Sequence, residues 1–149
     1  MKVIKPDKKR FSDWALPKIQ HGKPTKYGWM VHHPKNLKLG KFTDIGAFSY
    51  LNALYEIEIE EYAQFGSHCS VYSYSSIDQK KGKVYIGRNV RIGSHTTIMP
   101  GIKIGENSIV GANSFVTCDI PKNSFFAGSP AKLIKELYEY LAIFRKRRY

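Results

Sequence analysis

The segment 86-IGRNVRIGSHTTIMPGIKIGENSIVGANSFV-116 returns an aliphatic residue at every sixth position: Ile86, Ile92, Ile98, Ile104, Val110 and Val116. Glycine follows four of them directly, at Gly87, Gly93, Gly105 and Gly111. An amphipathic helix repeats about every 3.6 residues and a half-buried strand every second one, so neither confines its apolar residues to these positions. A six-residue period punctuated by glycine belongs to a coil of short strands joined by tight turns.

The step extends upstream. Leu39, Ile45, Leu51 and Ile57 keep it, the register slips by two, and Ile59, Phe65, Val71 and Ile77 resume it. The stretch 78-DQKKGKVY-85 then interrupts it and reads as an exposed loop thrown out of one corner, rich in lysine and carrying Gly82. Three hexapeptides make one coil, and coils bury their apolar residues only by stacking on one another. With the loop removed, one interior column is expected from Ile59, Ile77, Ile98 and Val116. Phe65, Ile86 and Ile104 would form a second, and Val71, Ile92 and Val110 a third.

The flanks follow other rules. Residues 1–36 contain Pro6, Pro17, Pro24 and Pro34 without a sustained period and are expected to form an irregular cover, leaving 37–127 as the coil. Downstream, Leu133, Leu137, Leu141 and Phe144 recur at helical spacing after Ser129-Pro130. That pattern predicts a C-terminal α-helix within 128–149, ending in the basic tail 145-RKRRY-149.

Lys and Arg outnumber Asp and Glu by 24 to 12, a net charge of +12 that favours anionic partners such as a phosphorylated cofactor. No helix-turn-helix, zinc-finger or RNP-like string accompanies that charge, so nucleic-acid binding is not expected. The start lacks a charged and then apolar leader, and no apolar run is long enough to span a bilayer. The expected location is therefore the cytoplasm, with no stable membrane insertion. Cys69 and Cys118 are the only cysteines, without CxxC spacing, and read as reduced thiols.

The repeat, the single excursion and the ending 120-IPKNSFFAGSPAKLIKEL-137 together resemble the hexapeptide-repeat acyltransferases, most closely the bacterial galactoside, maltose and nucleotide-amino-sugar acetyltransferases. The resemblance implies a mainly β fold, a left-handed parallel β-helix, assembled as a homotrimer and using acetyl-CoA without a metal. It places the active site between subunits beside the excursion loop. The residues matching the family's acyl-CoA contacts are Ser94, Ala112, Asn113, Thr117 and Cys118, with Lys132 and Lys135 near the basic end. Lysine suits the phosphates of CoA, and the amide arm suits backbone hydrogen bonds.

One departure bears on mechanism. Galactoside-type members carry a catalytic histidine on the strand before the loop, and here Ser76 occupies that position. His68 is the expected substitute, since imidazole can take a proton near neutral pH. His95, in 92-IGSHTT-97, is its rival, and together with Tyr74, Ser76 and Asp78 is assigned to the acceptor's surroundings. An amine that arrives unprotonated needs no enzyme base, so the missing histidine tilts the reading toward an amino sugar, nucleotide-linked, in surface-polysaccharide synthesis. The alternatives are a sugar O-acetyltransferase with His68 as general base and, in another class, a non-catalytic or zinc-binding trimer. Zinc would require three well-spaced histidines on the coil. Only His68 and His95 lie there, and they are expected to stack on Asn89 and Tyr74, not on each other.

Overall fold

The computed structural model describes residues 1–138, which wind into a parallel β-helix closed by a hairpin. The first coil contains β1 (Met30–His32), β2 (Leu37–Leu39) and β3 (Asp44–Ile45). The second contains β4 (Tyr50–Asn52), β5 (Ile57–Ile59) and β6 (Gln64–Phe65). The third contains β7 (Ser70–Tyr72), β8 (Val84–Ile86) and β9 (Arg91–Ile92), and the fourth β10 (Thr97–Ile98), β11 (Lys103–Ile104) and β12 (Ile109–Val110). β13 (Phe115–Val116) opens the last coil, and β14 (Ser124–Gly128) and β15 (Ala131–Glu136) end it as an antiparallel hairpin. Each strand pairs in parallel with its counterpart one coil on, producing three sheets: β1-β4-β7-β10-β13, β2-β5-β8-β11, and β3-β6-β9-β12-β14 with β15 at the edge.

Between the sheets lies a core of stacked aliphatic residues. Val31, Leu51, Val71, Ile98 and Val116 line the first sheet, Ile59, Ile86, Ile104 and Ile120 the second, and Ile45, Phe65, Ile92, Val110 and Phe126 the third. β-Branched side chains predominate because each must pack on a pleated surface against an identical position above and below.

Three expectations change. The columns regroup: Ile59 stacks on Ile86, and Ile77 is 95% exposed instead of sharing a column with Ile98. The coils are also unequal in length. Leu51 stands over Val71, Val71 over Ile98 and Ile98 over Val116, so the coil holding the excursion is the longest and the one after it the shortest. A uniform step therefore fails upstream of residue 86. The apparent slip at Ile57 and Ile59 is one strand turning both residues inward.

The excursion is also displaced. It leaves after Tyr72 and returns at Val84, which is fully buried, so part of the expected 78–85 loop is strand β8. Its stem is a clip: Tyr74 bridges Lys81 antiparallel, Ser75 N–H donates to the Lys80 carbonyl (2.9 Å), and Gly82 N–H donates to that of Ser73 (2.9 Å).

At the C-terminus residues 131–136 form a strand, not the start of a helix. The backbone edge of β14 would otherwise be unpaired, and β15 satisfies it while leaving all but Ala131 of its own residues exposed. The rest of the expected helix, including Leu141 and Phe144, lies outside the described residues. Among the described residues no helix is long and apolar enough to cross a membrane.

The N-terminal segment has two parts. β1, within the expected cover, already belongs to the first coil. Residues 2–10 run as a strap along the outside of the third sheet. Val3 N–H donates to the Tyr138 carbonyl (3.0 Å), the Ile4 carbonyl accepts from Asn89 (2.6 Å), the Lys5 carbonyl accepts from Arg91 (3.2 Å), and Arg10 pairs with Asp44.

The two thiols differ sharply. Cys69 is buried, its Sγ donates to the carbonyls of Gly93 (3.3 Å) and Gly66 (3.4 Å), and burial pushes its pKa up. Cys118 is exposed. Since the thiolate is the reactive form, one thiol per chain should react rapidly with Ellman's reagent, and the second only after denaturation. Two fast thiols in the native protein would contradict this packing.

Candidate functional site

The corner between the third and first sheets carries one residue per coil in the left-handed backbone region: Phe48 (φ 63°), His68 (57°), His95 (60°) and Asn113 (56°). Asparagine and histidine tolerate this region better than most residues. The amides ladder upward, from His68 to the Ala47 carbonyl (3.0 Å), His95 to Ser67 (3.0 Å) and Asn113 to Ser94 (2.9 Å).

His68 and His95 therefore stack face to face, with centroids 4.6 Å apart and planes 9° apart, and Phe48 lies over His68 at 5.0 Å. This overturns the expectation that they stack on Asn89 and Tyr74. The third coil is lengthened by the loop it contains, and His68 precedes His95 by the same interval as Val71 precedes its partner Ile98, so the rings fall in register. The Oγ of Ser67 lies 3.0 Å from His68 Nδ1, so a hydrogen bond engages that nitrogen and leaves Nε2 on an exposed ring.

The floor of this corner is small. A Cβ on Gly66 would meet Ser94 Oγ at 2.3 Å, and one on Gly93 would meet the Ala112 amide nitrogen at 2.4 Å, so the backbones approach as only glycine allows. The hairpin turn reaches the same corner through Gly128 N–H, which donates to Ser114 Oγ (3.1 Å). Lys132, paired with Ala127, stands close to that turn, while Lys135, paired with Phe125, stands further along β15. Ser94, Ala112, Asn113 and Lys132 thus gather with His68 and His95.

The remaining expected residues lie elsewhere. Tyr74, Ser76 and Asp78 occupy the excursion at the opposite end of β7, and Thr117 and Cys118 follow β13 on that same side. A hydrogen bond from Ser75 foremost, with help from Lys80, holds the Asp78 carboxyl below the usual range. Of the N-terminal histidines, His32 lies on β1, stacks on His21 (4.8 Å) and meets the Tyr50 hydroxyl at 2.8 Å. No group of three His, Cys, Asp or Glu among the described residues is placed to hold a metal ion. Phe48 and Ser67 join this corner without a place on the six-residue step. Gly46 and Gly66, which shortly precede them, mark the corner where they belong.

Residues 83–118 match the bacterial transferase hexapeptide family (six repeats). A Staphylococcus aureus (strain Mu50) protein carrying a provisional acetyltransferase name is 34% identical over 116 residues, covering 76% of this chain and 58% of that protein. The chain thus spans under two thirds of the length of such relatives. Among solved structures, a maltose O-acetyltransferase from Clostridium difficile 630 superposes with a TM-score of 0.71 at 30% identity, covering 75% of this chain and 65% of that one. A hexapeptide-repeat acetyltransferase of Vibrio cholerae, complexed with acetyl coenzyme A, superposes with a TM-score of 0.69 at 25% identity, covering 74% and 65%. Residues 83–118 thus carry the hexapeptide repeats of the bacterial transferases, and the proteins this chain is similar to are named as acetyltransferases.

Proposed function

We propose that this protein transfers an acetyl group from acetyl-CoA to a sugar, the acceptor being the amino group of a nucleotide-linked amino sugar in surface-polysaccharide synthesis. The observation that carries the transferase reading is the exposed His68–His95 stack on a corner whose glycines hold successive coils close together, so that an acyl-CoA arm would lie along the outside of the corner. In the reaction the nucleophile attacks the thioester carbonyl, the carbon–sulfur bond breaks, and CoA leaves as the thiolate. His68 takes the proton the nucleophile sheds, through Nε2, while Ser67 holds the other nitrogen.

Ser76, in place of the galactoside-type histidine, supports an amine over a hydroxyl. The likeness to a maltose O-acetyltransferase favours the second reading, transfer to a sugar hydroxyl with His68 as general base. The coil is taken as left-handed and the assembly as a homotrimer, so that the loop of one protomer, with Tyr74, Ser76 and Asp78, closes over the histidine corner of another. Thr117, Cys118 and Lys135 then line the far stretch of the acyl-CoA path. A screen of acetyl-CoA consumption against nucleotide-linked amino sugars and simple sugars decides the acceptor. Turnover on simple sugars alone would replace the amine reading.

The acyl-CoA placement has its own check. Ala112 is exposed, so Ala112→Trp should fold and leave the coil intact while filling the corner. Calorimetry should then show CoA affinity falling at least about tenfold. Unchanged affinity in a folded variant of native oligomeric state would remove CoA from this corner.

A further inference from the structure

We propose that Tyr55, Tyr74 and Lys81 form a shelf for a nucleoside diphosphate, the handle of the acceptor; this rests on the reading of that acceptor as nucleotide-linked. Tyr55 projects from the turn between β4 and β5, and Tyr74 from the first arm of the loop clip. Their ring centroids are 5.8 Å apart with planes at 51°, and Tyr55 is 43% exposed. The Lys81 ammonium lies 5.5 Å from the Tyr55 ring centroid.

The shelf is built on rigid backbone. Tyr55 N–H donates to Ser73 Oγ (2.9 Å), and that fully buried serine donates in turn to the Asn52 carbonyl (2.6 Å). The Tyr74–Lys81 bridge then holds the second ring and the ammonium side by side on neighbouring arms.

The charges around it single out Lys81. Lys80 pairs with Asp78 (3.5 Å), and Lys83 pairs with Glu56 (3.5 Å) and Glu58. Among the described residues Lys81 has no carboxylate partner, only the face of a ring. An ammonium without a counter-ion beside two half-open phenol rings matches a ligand with a flat base and a phosphate: bases of any kind stack on an aromatic face, and lysine serves phosphate as a point charge. A neutral sugar has neither feature.

Two molecules of the reaction carry a nucleoside diphosphate, the acceptor's handle and the ADP portion of CoA. The histidine corner assigned to CoA lies at the opposite end of β7 from this shelf, and the acyl-CoA path reaches the shelf's side only at Thr117 and Cys118, two coils further along, so the shelf is assigned to the acceptor.

The experiment is calorimetry on the full-length protein with UDP, dTDP and CoA as separate probes, comparing wild type with Tyr55→Ala, Tyr55→Phe and Lys81→Met. Tyr55→Ala should weaken whichever of UDP or dTDP the wild type prefers by about tenfold or more. Tyr55→Phe should stay within about twofold, since the ring face is kept, and Lys81→Met should weaken the nucleotide and flatten its salt dependence. CoA affinity and melting temperature should be unchanged in all three. Absence of UDP and dTDP binding to wild type at millimolar concentration would overturn the shelf, as would unchanged nucleotide affinity in folded Tyr55→Ala. Loss of CoA in place of UDP or dTDP would overturn it equally. Failure of the acceptor reading looks different: the nucleotides bind and the variants weaken them, but no nucleotide-linked amino sugar is acetylated.

Discussion

His68→Asn should fold normally, bind CoA with wild-type affinity, and lose on the order of 10²–10⁴ in turnover. Folding is expected to survive because the same corner already holds an asparagine: Asn113 has φ 56° where His68 has 57°, two coils away in the same column. The amide donated by residue 68 to the Ala47 carbonyl is unaffected by the side chain. Only the proton acceptor goes. Should the acceptor be a free amine needing no enzyme base, the substitution would cost little. Turnover within about fivefold of wild type would therefore end the base assignment, because a positioned base contributes far more.

The second large effect concerns the core. Ile98 is fully buried between Val71 and Val116 in the first sheet, and Ile98→Ala should cost about 2–5 kcal/mol through lost transfer energy and the cavity left behind. At roughly 2–4 °C per kcal/mol for a domain of this size, the melting temperature should fall by several degrees or more. Ile77→Ala is the matched control. The six-residue step groups the two residues, but Ile77 is 95% exposed on the loop, so its truncation should leave the melting temperature nearly unchanged. Melting at two protein concentrations separates a core role from a subunit contact, since only the latter depends on concentration. A concentration-independent loss for Ile77→Ala equal to that for Ile98→Ala would return Ile77 to the interior.

These cases show where the sequence is readable. From Ile86 to Val116 the coils keep one length, with Ile86 under Ile104, Ile92 under Val110 and Ile98 under Val116. Each residue on the six-residue step there is aliphatic and buried, and the step alone yields strands β8 to β13. Upstream, the corner after the first sheet is longer, and periodicity cannot tell an inward isoleucine from one carried out on a loop. Ile77 and Val84 compete for the same rung, and the clip formed by backbone atoms of Ser73, Ser75, Lys80 and Gly82 decides in favour of Val84. The His68–His95 stack was hidden for the same reason, because it depends on the length of the coil that separates them. Leu133 and Leu137 stand four apart, as a helix would have them, but the open edge of β14 exerts a demand that no side-chain pattern records. The repeat brings Ser94, Ala112 and Asn113 to the corner that holds His68, whereas the distance of Tyr74, Ser76 and Asp78 from His68 within one chain follows from β7 lying between them.

The strap has a consequence for how the chain comes apart and together. A pile of coils in which each touches only its neighbours can peel from either free end, one rung at a time. Here residues 2–10 reach from the last hairpin at Tyr138 to the first coil at Asp44, so neither end can fray without releasing a tie that spans the whole pile. The tie is also late by construction. Arg10 can take Asp44 as soon as the first coil exists, but the strap's residues are synthesised well before Asn89, Arg91 and Tyr138, their other partners. Wherever winding nucleates, the contact with Tyr138 that makes the pile hard to unwind closes only after the final rung is in place.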